Sequence, residues 1–317
     1  MTRAVMFYRF YRLRRLLVAV VVPPALVVLI IAALKGPAAF ALLPLALGIP
    51  VWHAVRYPTS WLESVAISVT LAIVLAISGT IGPDVGLIGL MLRLVGLGIL
   101  AFGLFLGLSL VLSDLLVRGP EQEITARATR RSSLDPETLK ARITLYPGRA
   151  DDMVICGSPD GDGMFPITLK HRMSVLSDED TTLDAAYADD PTVTVGGPED
   201  PGMFDINLFG VVITSDATTH EVMSIEDGGD VPSVTRYLFK PLKRGTRVTI
   251  EERGAPMSLG MRIGFWLQDY IADYLTDEVD RAEGREKRAN RFQVQDQFLV
   301  DLAGLFVRRR GGHTPAE

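Results

Sequence analysis

Apolar residues crowd into the front of this chain. Four runs, at 16–34, 38–55, 64–81 and 86–117, fill most of its first 118 residues, and the first three contain no Asp, Glu, Lys or Arg. A bilayer core of about 30 Å takes roughly 20 helical residues. Backbone polar groups in hydrocarbon must be satisfied within their own segment, so the pattern predicts about four membrane-spanning helices. Pro23, Pro24, Pro44 and Pro50 are expected to kink or locally unwind the first two. Lys35-Gly36-Pro37 leaves room only for a tight hairpin between them. The fourth run, 32 residues long, would extend about 48 Å as one helix. Residues up to Arg93 are therefore expected at the interface and the span near 94–112, with Arg93 snorkelling to the headgroups rather than acting as an intramembrane charge.

Beyond Gly119-Pro120 the periodicity shortens. Residues 121–131 alternate with Ile124, Ala126 and Ala128 on one face, as in a half-buried strand. Asp135-Pro136-Glu137 reads as a helix start, and that helix should end before Pro147-Gly148. Strand-like stretches follow at 153–156, 164–176, 181–188, 204–214, 218–225, 233–240 and 246–252, separated by Gly, Pro and Asp clusters. From 258 to 282 apolar side chains recur every three or four residues, while Asp269, Asp273, Asp277 and Glu278 fill the other face. One long amphipathic helix after a run of strands predicts an α+β domain, a curved antiparallel sheet around that helix. The expected organisation is a transmembrane helical domain at 1–118, a soluble domain at 119–285, and an amphipathic C-terminal helix and tail at 286–317.

Charge refines this picture. Residues 1–118 carry nine Lys/Arg against three acids, and 119–317 carry 23 against 34. With four spans, Arg3, Arg9, Arg12, Arg14, Arg15, Arg56 and Arg118 fall on one side, which the positive-inside rule makes cytoplasmic. Both termini and the soluble domain are then expected on the cytoplasmic face of the inner membrane. A cleaved signal peptide is excluded by the length of the first run and the spans after it. An acidic soluble domain argues against nucleic acid. The single cysteine, Cys156, rules out an intrachain disulfide and a Cys-based zinc site.

The stretches SVTRYLFKPLKRGTRVTIEERG (233–254) and GFWLQDYIADYLTDEVDRAEG (264–284), with the Gly245-Thr246-Arg247 turn, resemble the closing strands and last helix of the SRPBCC superfamily. This is the superfamily of START, Bet v 1 and polyketide-cyclase-like helix-grip proteins. ITARATRRSSLDPETLKARI (124–143) is similar to its opening strand and first helix. The likeness covers roughly 121–285. It departs in the middle, where a second short helix cannot be placed and 160–205 is unusually acidic. The resemblance implies a pocket between helix and sheet, and no particular reaction.

In such a fold Ile263, Trp266, Tyr270 and Tyr274 would line the pocket from the helix, and Tyr237 and Phe239 from the sheet; core packing is the competing explanation. His171 lies in phase with Ile167, Leu169, Met173 and Val175; it is the best single candidate for an acid or base, with a satisfied core histidine as the competing explanation. Asp160-Gly161-Asp162-Gly163 is similar to a calcium loop, but Met164 and His171 occupy the fifth and twelfth positions, so a turn is expected instead. The chain has no nucleotide-binding glycine fingerprint, no G-x-S-x-G and no H-E-x-x-H, so no cofactor or metal is implied. Residues 290–310 form a second amphipathic pattern ending in Arg308-Arg309-Arg310, suited to a membrane surface or to packing against protein. The leading expectation is a membrane-tethered module that binds a hydrophobic molecule such as a lipid, quinone or polyketide-like compound. The rivals are an accessory subunit of a larger membrane complex and a cyclase- or hydrolase-like enzyme using the pocket.

Overall fold

A computed structural model describes residues 3–58, 60–80, 87–117, 121–172, 193–195, 203–226, 232–286 and 288. The chain divides into two compact units. The helical unit comprises Met1–Pro120 and Ser258–Asp269, and the sheet unit comprises Glu121–Met257 and the chain that resumes at Tyr270.

The helical unit opens with α1 (Arg3–Arg12), which the sequence did not announce, and α2 (Arg14–Lys35). Pro23 and Pro24 lie inside α2 without ending it. Gly36, at φ +99, turns the chain into a 3-10 segment, Pro37–Leu42, which runs on into α3 (Leu43–Arg56). Then come α4 (Trp61–Thr80) and α5 (Leu87–Val117). Four helical stretches are long and apolar enough to cross a membrane: Arg14–Lys35, Pro37–Arg56, Trp61–Ser78 and Val95–Leu115. The fourth stretch lies close to the 94–112 expected, and residues up to Arg93 fall outside it. Arg93 sits inside one continuous 31-residue helix, whose length of about 46 Å exceeds a bilayer core. Side-chain hydroxyls tie the helices together. Ser68 donates to the Val20 carbonyl at 2.6 Å, and Ser64, between His53 Nδ1 (2.9 Å) and the Ser60 carbonyl (3.1 Å), closes the α3–α4 corner.

The sheet unit is antiparallel throughout, in the order β1-β8-β7-β6-β5-β3-β2, with β4 also paired to β5. Its strands are β1 (Gln122–Ser132), β2 (Val154–Cys156), β3 (Met164–Arg172), β4 (Val193–Val195), β5 (Met203–Ser215), β6 (Thr219–Glu226), β7 (Ser233–Pro241) and β8 (Thr246–Met257). The expected strand at 181–188 and the C-terminal pattern at 290–310 lie outside the described residues. Helix α6 (Pro136–Ile143) starts as its sequence predicts, with Asp135 accepting from the Thr138 N–H at 2.9 Å. The β7–β8 turn requires glycine at 245 on two counts: φ is +77, and a Cβ would meet the Ser132 carbonyl oxygen at 1.9 Å.

The long helix expected at 258–282 is two helices, α7 (Leu259–Leu267) and α8 (Tyr270–Ala282). The break is at Asp269, the only non-glycine residue with positive φ (+51) among those described. Aspartate tolerates the left-handed region better than most side chains, and here its carboxylate has partners. Arg14 Nη1 is 3.3 Å from it and Arg15 Nη1 is 3.6 Å away. Arg15 also donates to the Trp266 carbonyl at 2.8 Å, supplying positive charge where the α7 dipole is negative. Its guanidinium lies 4.9 Å from the centroid of the Trp266 ring. Beyond the break, α7 packs into the helical unit, with Leu267 and Ile263 against Leu13, Leu16, Ala54 and Trp61.

Gly264 allows a close approach in that packing, since a Cβ there would lie 2.5 Å from Trp61 Nε1. Gly264→Ala should therefore overpack the α7–α4 contact and destabilise the helical unit by roughly 1–3 kcal/mol. Adding Trp61→Phe should recover part of the loss in thermal unfolding of the full chain. No loss from Gly264→Ala would contradict the packing.

Candidate functional site

In a strand successive side chains face opposite ways, so the registers fix which residues face α8. Val248, Ile250 and Glu252 of β8 share a face with Tyr237 and Thr235 of β7 and with Ala128 and Ala126 of β1. That face continues through His220, Val222 and Ser224 of β6. Helix α8 covers it, with Ile271, Ala272, Leu275, Val279 and Ala282 in one core with Ala128, Tyr237, Phe239, Val248, Ile250 and the α6 residues Leu139 and Ile143.

This covered face changes character along the strands. At the Phe239 and Val248 end it is apolar and closed; Val248, Ile250, Leu139 and Leu275 have no exposed surface. Two residues further along, Ser233, Thr235, Ser224 and Glu252 are polar and half-buried, as are Tyr270 and Tyr274 of α8. Tyr237 stands at the boundary, stacked on Phe239 with ring centroids 6.2 Å apart.

The boundary holds a group of polar side chains. Burial raises the Tyr237 hydroxyl well above its ordinary pKa; the charges of Tyr274, Glu278 and Glu252 and a hydrogen bond with Tyr274 add to it, so the phenol stays protonated. Burial also raises the Glu252 carboxyl. Arg149 is buried and its nitrogens are engaged: Nε and Nη2 donate to Asp151 at 3.0 and 2.6 Å, and Nη1 donates to the Thr144 carbonyl at 2.9 Å. Burial opposes its charge, but Asp151, Glu278 and Tyr237 outweigh that and hold it cationic. The arrangement can donate hydrogen bonds to an uncharged acceptor, and its carboxyls disfavour an anion.

The candidate residues thus separate. Tyr237, Phe239 and Tyr274 are together in the α8 core, with Tyr270 on the same helix. Ile263 and Trp266 belong to the helical unit; Ile263 packs near Leu267, and Trp266 is 59% exposed. Because the helix breaks, these two do not share a continuous helix face with Tyr270 and Tyr274. The backbone of His171 pairs with that of Phe204 in β3–β5, but its side chain lies outside the described residues. Glu252 was not a sequence candidate, and Glu278 was read only as part of the polar face of the last helix. Glu252 is in phase with Ile250 and Val248, and that alternation was the available signal.

Two other groups prove structural. The Asp160 carboxylate accepts from the Asp162 and Met164 N–H groups at 3.0 and 2.9 Å, forming the expected turn. His220 is fully buried, with Nε2 donating to the Leu145 carbonyl at 2.8 Å and Nδ1 3.2 Å from Ser215 Oγ. Burial lowers its pKa, so it is a neutral core histidine. Among the described residues no group of His, Cys, Asp and Glu could hold a metal ion.

No protein-family model matches the chain, and neither does any curated protein. Solved structures with a detectable likeness include protein CV1439 from Chromobacterium violaceum, 16% identical, covering 50% of this chain and 96% of that one at a TM-score of 0.30. Ara h 8.0201 is 12% identical, with 51% and 97% covered and a TM-score of 0.30. The di-domain ARO/CYC StfQ from the steffimycin biosynthetic pathway is 7% identical, with 60% and 59% covered and a TM-score of 0.31. At such scores the architecture rests on this chain's own strand order and on the helix packed across its sheet.

Glu252 gives a pH test. Its folded pKa is raised, so the folded state favours the protonated form, and ionisation opposes folding once pH rises above the ordinary carboxylate range. Glu252→Gln should raise the thermal midpoint of the full chain at pH 7. The gain should disappear below about pH 4.5, where both states bind the proton. A variant less stable at pH 7 would show that the carboxylate is stabilising.

Proposed function

We propose that this protein is a membrane-tethered binding module. Its sheet unit holds an uncharged hydrophobic molecule carrying a carbonyl or hydroxyl group, such as a neutral lipid, a quinone or a polyketide-like compound. The observation that carries this reading is the polar, half-buried half of the face beneath α8. There a protonated Tyr237, Tyr274 and a raised Glu252 adjoin a closed apolar floor. Ligand sites combine apolar walls with a few convergent polar groups. A carboxyl held where burial opposes its ionisation is a candidate functional group. The tether is the set of four apolar helices, and the basic residues at the head of α2 favour the cytoplasmic side for the sheet unit.

A second reading, an accessory subunit of a larger membrane complex, is favoured by the outer side of α5. A shallow apolar groove of about 480 Å3 runs there past Gly103 and Gly107, with Ile99, Leu104 and Val111 on its sides. Two glycines four residues apart allow close approach of another helix.

The test is binding of a fluorescent quinone analogue and of a fatty-acid analogue to the full chain in mild detergent. The quinone should bind more tightly. Tyr237→Phe, which removes one hydroxyl, should weaken it roughly 3–10-fold, as expected for one hydrogen bond. Absence of binding by the wild-type chain, or an unchanged affinity in Tyr237→Phe, would contradict the proposal and favour the accessory subunit.

A further inference from the structure

We propose that α7 is an in-plane membrane anchor, seated at the boundary between headgroups and acyl chains in an anionic leaflet. Its sequence, LGMRIGFWL, contains one charge, Arg262. One side packs into the helical unit through Gly264 and Leu267. Away from that contact Leu259, Met261 and Trp266 stand at 37%, 51% and 59% exposure, with Arg262 between Met261 and Trp266 on the helix surface. An apolar surface of this kind on a short helix needs a cover, and three observations identify it.

The first is level. Helix α5 lies against α7, whose partners also include Leu13 and Leu16 at the start of α2, Ala54 near the end of α3, and Trp61 at the start of α4. These are the ends of three candidate spans, where a chain leaves the hydrocarbon for the headgroups. The second is residue type. Trp266 lies under the Arg15 guanidinium, and a tryptophan beside an arginine suits the interfacial layer. The neighbouring α1 exposes Phe7 (69%) and Tyr11 (63%) as well. The third is charge. Helices α1 and α7 and the head of α2 carry Arg3, Arg9, Arg12, Arg14, Arg15 and Arg262, and the acids nearby are Asp269, just after α7, and the buried Glu63 at the start of α4. That balance complements anionic lipid, whose surface attracts basic segments. A buried apolar face beside a basic edge is the pattern of a helix lying in the interface. The helix that covers the sheet unit begins at Tyr270, directly after the Arg-paired Asp269. The anchor is thus joined to it by Gln268 and Asp269 alone.

The experiment places a nitroxide label at Met261 of the full chain, with the buried Cys156 replaced by alanine. The protein is reconstituted in vesicles of phosphatidylcholine and phosphatidylglycerol. A second variant carries the label at Leu259, and a control carries it at Thr218, exposed in the β5–β6 turn. Collision with oxygen and with a water-soluble nickel chelate is read by power saturation. Labels at 261 and 259 should lose nickel accessibility relative to 218 while remaining accessible to oxygen, and should move shallower when phosphatidylglycerol is omitted. Nickel accessibility equal to that at 218 would overturn the anchor. Exclusion of both reagents with dipolar broadening between labels would overturn it too, showing that a second copy covers α7. An unchanged depth without phosphatidylglycerol would overturn the anionic preference. None of these outcomes depends on whether the sheet unit binds a ligand.

Discussion

Two arginines at the head of α2 and one aspartate in a left-handed conformation determine how the end of this chain is used. Each Arg–Asp269 contact alone, partly exposed, contributes at most about 1 kcal/mol. Here they act together. Asp269 adopts φ +51, Arg14 and Arg15 flank its carboxylate, and Arg15 also reaches the Trp266 carbonyl and ring. The consequence is a division of labour between two short helices. Without the break, the residues of α7 and α8 would share one axis and one hydrophobic stripe. With it, α7 takes its partners from the helical unit and α8 takes its own from the sheet.

The sheet unit shows what a covering helix does when its cover is uneven. At the Phe239 and Val248 end, apolar side chains from β1, β7, β8, α6 and α8 close the interior. Past Tyr237 the same face turns to Glu252, Thr235 and Ser224. Helix α8 is itself buried nearly all round, including Asp273, Asp277, Glu278 and Asp280. Some of these acids are answered by nearby arginines: Arg281 pairs with Glu278, and Arg288 Nε donates to Asp280 at 2.8 Å. Just beyond the helix, Glu283 accepts from the Ser132 and Ser133 hydroxyls, both at 2.8 Å. Interior polar groups of this kind are stable only when partnered. The Glu252 carboxyl is raised by burial.

Much of this was legible in the sequence. The apolar helices follow from hydropathy and length, and β1, β2, β5, β6, β7 and β8 follow from alternation bounded by turn residues. Tyr237, Phe239 and Tyr274 lie in the core that α8 covers, on the faces that the period-2 and period-3.6 patterns assign them. The helix break was hidden for a physical reason. Ile263, Leu267, Ile271 and Leu275 recur every four residues straight through it, so the stripe reads as continuous although its halves face different partners. Nothing local to Asp269 marks it either, because Arg14 and Arg15 lie more than 250 positions away. The acids of α8 misled in the opposite sense. They read as a solvated face, while the structure buries several of them.

The central claim, that the Arg14 and Arg15 clamp on Asp269 holds α7 in the helical unit, is tested most directly by amide hydrogen exchange across residues 259–269. The measurement uses the full chain in lipid nanodiscs carrying Arg14→Gln, Asp269→Asn, or both. The account predicts that each single change speeds exchange of α7. The double change should add little to either one, with a coupling on the order of 1 kcal/mol, roughly a fivefold difference in rate. Strictly additive effects, or α7 exchange equal to wild type in all three variants, would contradict it.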